Sequence, residues 1–309
     1  MFSASHSRIL NSSMIRILGT IFAGLLGLAF GSFLNVCLSR WPEGESIIRP
    51  RSHCRHCNRT LAWWENVPLI SWLALRGRCR TCRAWIGWRY PLVELAIGLL
   101  WSLVGWSFFS QFQVMDVALG PSLGIPQLGL IPAIAAMIFL WMMVGIAVMD
   151  AEHFWIADAA TLPGIALGFA IPIFIESLLR TPLRWQSTFW IRLGERLLEV
   201  LIAAALILLI RWLYWLICRR EGFGLGDAKL MALLAAWLGL PGALLSFVLG
   251  VWLGALVAVV LRLIPSASRD SESWWLSKFP LGTFLCIGGI ISGLWGQFIL
   301  EAYYRLAGL

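Results

Sequence analysis

Charge is scarce in this chain. Asp, Glu, Lys and Arg together make up 13% of its 309 residues, against 60% hydrophobic residues and 19 tryptophans, and a soluble domain of this length cannot hide so much apolar surface. A soluble globular fold is therefore excluded, and a polytopic membrane protein is expected. Three further absences narrow the reading. No small-residue cleavage site follows the first apolar run, which continues through Phe30-Gly31-Ser32-Phe33, so that run is expected to stay as an anchor and not to leave as a signal peptide. No G-x-G-x-x-G follows a strand pattern, so no nucleotide site can be placed from sequence. Acidic residues are missing from the middles of the apolar runs, which counts against a transporter or channel with ion sites there.

What is present is a series of apolar runs of membrane-crossing length. They fall near 14–36, 91–110, 129–149, 160–178, 196–217, 242–262 and 280–300, with a shorter run at 230–240 ahead of Gly239-Leu240-Pro241. The expected fold is all-α, with about eight transmembrane helices. Three regions follow: an N-terminal transmembrane helix at 1–36, a Cys-rich loop at 37–90, and a multi-helix membrane domain at 91–309.

Positive charge is uneven. Ten arginines lie between Cys37 and Tyr90, against Glu43, Glu45 and Glu65, which assigns that loop to the cytoplasm. Counting helices from it puts 111–128 and 179–195 outside and 150–159, 218–229 and 263–279 inside. Arg219, Arg220, Lys229, Arg269 and Lys278 agree with this; Arg180, Arg184 and Arg192 run against it. The net charge of +8 sits mostly in the juxtamembrane loop, where anionic lipid headgroups are the nearer partner; no nucleic-acid partner is expected.

The same loop holds Cys54, Cys57, Cys79 and Cys82 as C-x2-C-x21-C-x2-C, a spacing similar to a four-thiolate zinc site, each C-x2-C supplying two ligands from one knuckle. Two disulfides are the other reading, disfavoured by a reducing cytoplasm. His53 and His56 are expected to be bystanders, and Cys37, Cys218 and Cys286 to be buried small hydrophobes.

Two stretches carry the acids. MDAEHFWIADAATLPG (149–164) holds Asp150, Glu152 and Asp158, and EGFGLGDAKL (221–230) places Asp227 behind Gly222, Gly224 and Gly226. Carboxylates near bilayer depth are costly and mark function. The topology brings Asp150 and Asp227 to one membrane face, where two carboxylates can share a proton and perform aspartic proteolysis. The glycines are expected to supply backbone conformations closed to other residues and to let something approach closely, in a loop that holds Asp227 opposite Asp150. Glu152 and Asp158 also suit a solvated loop.

Gly224-Leu225-Gly226-Asp227 resembles the GxGD signature of intramembrane aspartyl proteases, and GFGLGDAKL resembles its form in the type IV prepilin peptidases. GSFLNVCLSRWP (31–42), the two-CxxC loop running into WRYPLVEL (88–95), and FPLGTFL (279–285) are similar to that family in the same order. The resemblance implies an enzyme of the bacterial inner membrane that removes the basic leader of prepilins or pseudopilins after a glycine at the cytoplasmic face. It then methylates the new N-terminal amine with S-adenosylmethionine. Position by position, it implies Asp150 and Asp227 as the catalytic pair, Cys54, Cys57, Cys79 and Cys82 as the cysteine tetrad, and Asp158 as a further acid outside the pair. Ala157 stands where the family usually has Pro, and Glu152 where many members have Asp. A cleavage-only peptidase and a zinc-loop transporter are the alternatives at this level.

Overall fold

The computed structural model describes residues 2–119, 126–179, 182–219, 224–263 and 280–308. These are mostly helical, with no strand among them. Among the described residues there are eight α-helices: α1 (Phe2–Arg40), the short α2 (Ile70–Ala74), α3 (Arg89–Leu119), α4 (Pro126–His153), α5 (Asp158–Leu179), α6 (Pro182–Cys218), α7 (Leu225–Leu263) and α8 (Leu281–Ala307). Two compact units result, Met1–Val144 and Gly145–Leu309, with the boundary inside α4.

Among the described residues, six helices are long and apolar enough to cross a membrane: α1, α3, α4, α6, α7 and α8. Eight segments were expected. The apolar stretch of α5, Asp158–Phe174, is shorter, and the runs at 230–240 and 242–262 form one element, α7, broken at Gly239, where φ is 72°. That break is a reversal. A Cβ on Gly226 would touch Ile156, and one on Gly282 would touch both Ile156 and Asp150, so α7 begins at the level of Asp150. Beyond Gly239, Gly242 faces Ser292 while Gly250 faces Phe284 and Leu285, so the second half of α7 returns along α8 toward that same level. A left-handed turn of this kind is open to glycine at no steric cost, and Pro241 cannot continue the first half's hydrogen bonding.

Three loops differ from expectation. The expected outer loop at 111–128 is helical at 111–119 and 126–128, because α3 runs to Leu119 and α4 starts at Pro126. Most of 179–195 is helical, because α6 starts at Pro182, and proline suits the first turn of a helix. Asp227 is not in a loop but in the first turn of α7. The expected inner loop at 263–279 falls, but for Leu263, outside the described residues, as does Gly222.

In the N-terminal unit, α1 and α3 pack through small residues. A Cβ on Gly27 would lie 2.7 Å from the Ile97 carbonyl, and one on Gly31 2.7 Å from Glu94 Cα. Between helices in lipid, where no hydrophobic drive exists, such close backbone approach supplies the attraction. Gly31→Leu is expected to cost about 1–3 kcal/mol by overpacking, read as a lower thermal unfolding midpoint in detergent.

In the C-terminal unit, α7 packs against α5, α6 and α8. Trp237 Nε1 donates to the Gly164 carbonyl at 2.8 Å, and Ser246 and Ser292 both donate to Gly242 O. Leu230, Met231, Leu233, Leu234 and Ala235 are fully buried.

Candidate aspartate site and cysteine centre

The last turn of α4 carries Asp150, 6% exposed, and the first turn of α7 carries Asp227, 9% exposed. They are 77 positions apart in sequence, yet both lie within electrostatic range of the buried Cys286 thiol and of each other. Asp227 is held by its own helix end. Its Oδ2 accepts the Gly224 N–H at 3.0 Å, the reach-back of a third helical residue to the cap that satisfies one orphan donor. Asp150 is held by α8: its Oδ2 accepts the Thr283 N–H at 2.6 Å and lies 3.0 Å from the Thr283 hydroxyl, which is also 3.0 Å from the Ala147 carbonyl. Among the described residues, Oδ1 of each aspartate has no hydrogen-bond partner, so one oxygen of each is open to water or substrate.

Of the two roles expected of the glycines, close approach is the one found. Neither Gly224 nor Gly226 has a positive φ. A Cβ on Gly226 would sit 3.2–3.4 Å from Ile156, so what glycine provides there is room for close approach beside Asp227.

Asp158 opens α5 and pairs with Lys229 at 2.6 Å. Both are well exposed, so the pair contributes little energy but ties the starts of α5 and α7 together. Glu152 is on the surface, 3.9 Å from His153 Nε2. Ala157, where proline is usual in the resembled family, is buried and accepts at its carbonyl from Thr161.

Sequence reasoning did not single out Thr283. Its only signal is its place inside FPLGTFL. Gly282 was likewise missed: a Cβ there would fall 2.9 Å from the Asp150 carboxyl carbon, so this position must stay bare for Asp150 to sit as it does.

In the N-terminal unit, the cysteine loop repeats one turn twice. The Cys54 N–H donates to Arg59 O and the Asn58 N–H to Cys54 O; the Cys79 N–H donates to Ala84 O and the Arg83 N–H to Cys79 O. The bridges His53–Thr60 and Arg78–Trp85 close the two turns in the same register, and Asn58 and Arg83 occupy matching left-handed positions. The four sulfurs lie within 4.8 Å of one another, and Cys54 Sγ and Cys82 Sγ are 3.8 Å apart. That equals the tetrahedral edge of about 3.8 Å implied by Zn–S bonds of about 2.3 Å. The N–H groups of Cys82 and Thr81 aimed at the Cys79 sulfur pull its pKa down to about 6, favouring the thiolate a metal requires. These residues fit a tetrahedral metal ion. No histidine joins the group. Glu65, which sequence reasoning had only counted among the charges, braces the loop by accepting from Arg59 and from the Ala62 N–H.

Cys37 and Cys286 are buried as expected, but Cys218 is exposed. It ends α6, whose outer face presents Leu209, Trp212, Leu216 and Ile217; in a membrane protein such a face meets lipid, so apolar context there does not mean burial.

Fold and site together define a polytopic membrane protein with two buried carboxylates gathered at helix ends and a four-cysteine centre. Residues 25–108 match the bacterial peptidase A24 N-terminal domain, and residues 137–259 match the type IV leader peptidase family. The chain is 31% identical over 308 residues to a prepilin leader peptidase/N-methyltransferase of Stutzerimonas stutzeri, covering 92% of this chain and 93% of the other. It is 32% identical over 307 residues to the protein so named in Pseudomonas aeruginosa, with the same coverage. A type 4 prepilin-like proteins leader peptide-processing enzyme of Escherichia coli O78:H11 is 31% identical over 293 residues, covering 87% and 91%. No solved structure matches the chain. The chain belongs to the type IV leader peptidase family.

Proposed function

We infer that this protein is a membrane endopeptidase that removes the basic leader from prepilins or pseudopilins, cutting after glycine, and then N-methylates the new N-terminus. The observation that carries the peptidase reading is the burial of Asp150 and Asp227 at adjoining helix ends, inside the segment matching the type IV leader peptidase family. Two close carboxylates in a poorly solvated site cannot both ionise easily and share a proton. The ionised member takes a proton from water, which attacks the scissile carbonyl, and the protonated member gives its proton to the carbonyl oxygen or leaving amine. Thr283 and the Gly224 N–H fix one oxygen of each carboxylate, leaving the other to face the reaction. A helical substrate must unwind locally before its carbonyl is reachable.

The N-methyltransferase part of the relatives' names favours two activities over cleavage alone. S-adenosylmethionine is the methyl donor that this chemistry calls for. The arginine-rich loop points to a bacterial inner-membrane protein whose aspartates face the cytoplasm, in contact with anionic lipids. Purified protein incubated with a prepilin and S-adenosylmethionine is expected to yield pilin that has lost its leader and gained one methyl group, read by intact-mass spectrometry. Pilin of unchanged mass would rule the reading out.

The metal held by Cys54, Cys57, Cys79 and Cys82 is zinc, in a structural role. Cys79→Ser is expected to drop metal content from about one zinc per chain toward zero, by elemental analysis, and to leave cleavage less impaired than loss of either aspartate. Zinc-free wild-type protein purified under reducing conditions would contradict this.

A further inference from the structure

A cavity of about 670 Å³ lies wholly inside the N-terminal unit, between the last turns of α1, the start of α3 and the cysteine loop. Its size is that of a site for a cofactor or other small molecule. The aspartates belong to the other unit, so cleavage does not account for it.

Its lining selects a ligand chemistry. Glu94, 7% exposed, accepts the Leu69 N–H at 2.8 Å, and among the described residues no Lys or Arg lies within ion-pair distance of it. A buried carboxylate without a countercharge is costly, so the cavity suits a cation. The arginines nearby are already engaged: Arg40 donates to the Ser46 and Pro50 carbonyls, and Arg55 pairs with Glu43. Asn35, 2% exposed, adds an acceptor, because its Oδ1 is buried with no partner while its Nδ2 donates to Tyr90 O. Buried polar atoms of this kind are rarely left unmet. On the loop side, Trp72 and Trp85 stand edge to face, 5.9 Å apart, offering flat rings that stack on an aromatic base or attract a cation. Cys54 and Cys79 also line the cavity, so the metal centre braces one wall.

We propose that this cavity is the methyl-donor site and binds S-adenosylmethionine, with Glu94 and Asn35 receiving its cationic end and Trp72 and Trp85 its adenine ring. This deepens the methyltransferase reading and rests on it. The donor supplies a methyl group on a positively charged sulfur. The lone pair of the neutral pilin amine forms the new N–C bond, the C–S bond breaks with its electron pair passing to sulfur, and the methylated ammonium releases one proton to water. A free α-amine is partly neutral near pH 7, so Glu94 is assigned to binding and not to proton removal.

The test uses the full-length protein in detergent with S-adenosylmethionine tritiated on the methyl group. Ultraviolet cross-linking followed by peptide mapping is expected to place the label within residues 29–94. By equilibrium dialysis, Glu94→Gln is expected to weaken donor binding by about 10–100-fold, as loss of a charged hydrogen bond does, with zinc content and unfolding midpoint as checks on folding. Glu152→Gln, outside the cavity, should bind as wild type does. Should Glu94→Gln fail to fold, Trp85→Leu on an exposed ring is expected to weaken binding by about tenfold. Label on residues 145–309, or wild-type affinity in a folded cavity variant, overturns the placement; methylation of pre-cleaved pilin by the same wild-type preparation would then leave the methyltransferase reading standing. Absence of both binding and methylation overturns the two together.

Discussion

Asp150→Asn and Asp227→Asn are each expected to slow prepilin cleavage by about 10²–10⁴-fold or more, the range lost when a positioned acid or base is removed. An amide keeps the shape of the carboxyl group but cannot exchange the proton. Each side chain is near the size of the original and keeps an oxygen able to accept, from Thr283 in one case and Gly224 in the other, so the variants should fold and insert. Because the pair acts as a unit, the double variant should be scarcely slower than either single one. Initial rates of leader release, measured with all three variants at equal protein, check both points. A single variant that cleaves at the wild-type rate would remove its residue from the pair.

Gly282→Val is expected to slow cleavage by about 10²-fold, although residue 282 has no chemical group to contribute. A Cβ there would meet the Asp150 carboxyl carbon and Oδ2 at 2.9 Å and Ile156 at 3.0 Å. The carboxylate must move aside and break its contact with the Thr283 N–H, and a displacement of about 1 Å in a catalytic group costs on that order. The loss should appear in kcat, since the change acts on Asp150 and not on the bulk of the substrate site. Gly194→Val, at a position where a Cβ meets nothing within 4 Å, serves as the control and should cleave normally.

Much of this was legible in the sequence, for identifiable reasons. A C-x2-C pair encodes its knuckle locally, so the four cysteines could be grouped without knowing how the rest of the chain runs. Asp150 and Asp227 could be paired from topology alone, because each stands at the end of an apolar run and both ends were assigned to one face. Gly239-Leu240-Pro241 was read as a break between two runs, and the chain does reverse there.

The rest depended on contacts that leave little local trace. Thr283 meets Asp150 across 133 positions, and nothing in a threonine after glycine says which carboxylate it will hold. Glu94 and Asn35 sit in segments that read as ordinary membrane helix and motif. Cys218 shows a second limit. In water, apolar periodicity separates a buried face from an exposed one, but lipid is as apolar as a helix interface, so α6 gives no such signal. The glycines before Asp227 show a third: the sequence allows either a left-handed backbone or a close approach, and only the backbone angles and the position of Ile156 show that at Gly226 it is close approach.

Asp227 is expected to serve cleavage and not methylation. The most direct test is intact-mass spectrometry of pilin treated with Asp227→Asn protein and S-adenosylmethionine, with full-length and pre-cleaved substrate in parallel. The methylated amine does not exist until the leader is cut, so full-length prepilin should emerge unchanged, whereas pre-cleaved pilin should gain one methyl group as it does with wild-type protein. Full-length prepilin that loses its leader at the wild-type rate under Asp227→Asn would contradict the claim.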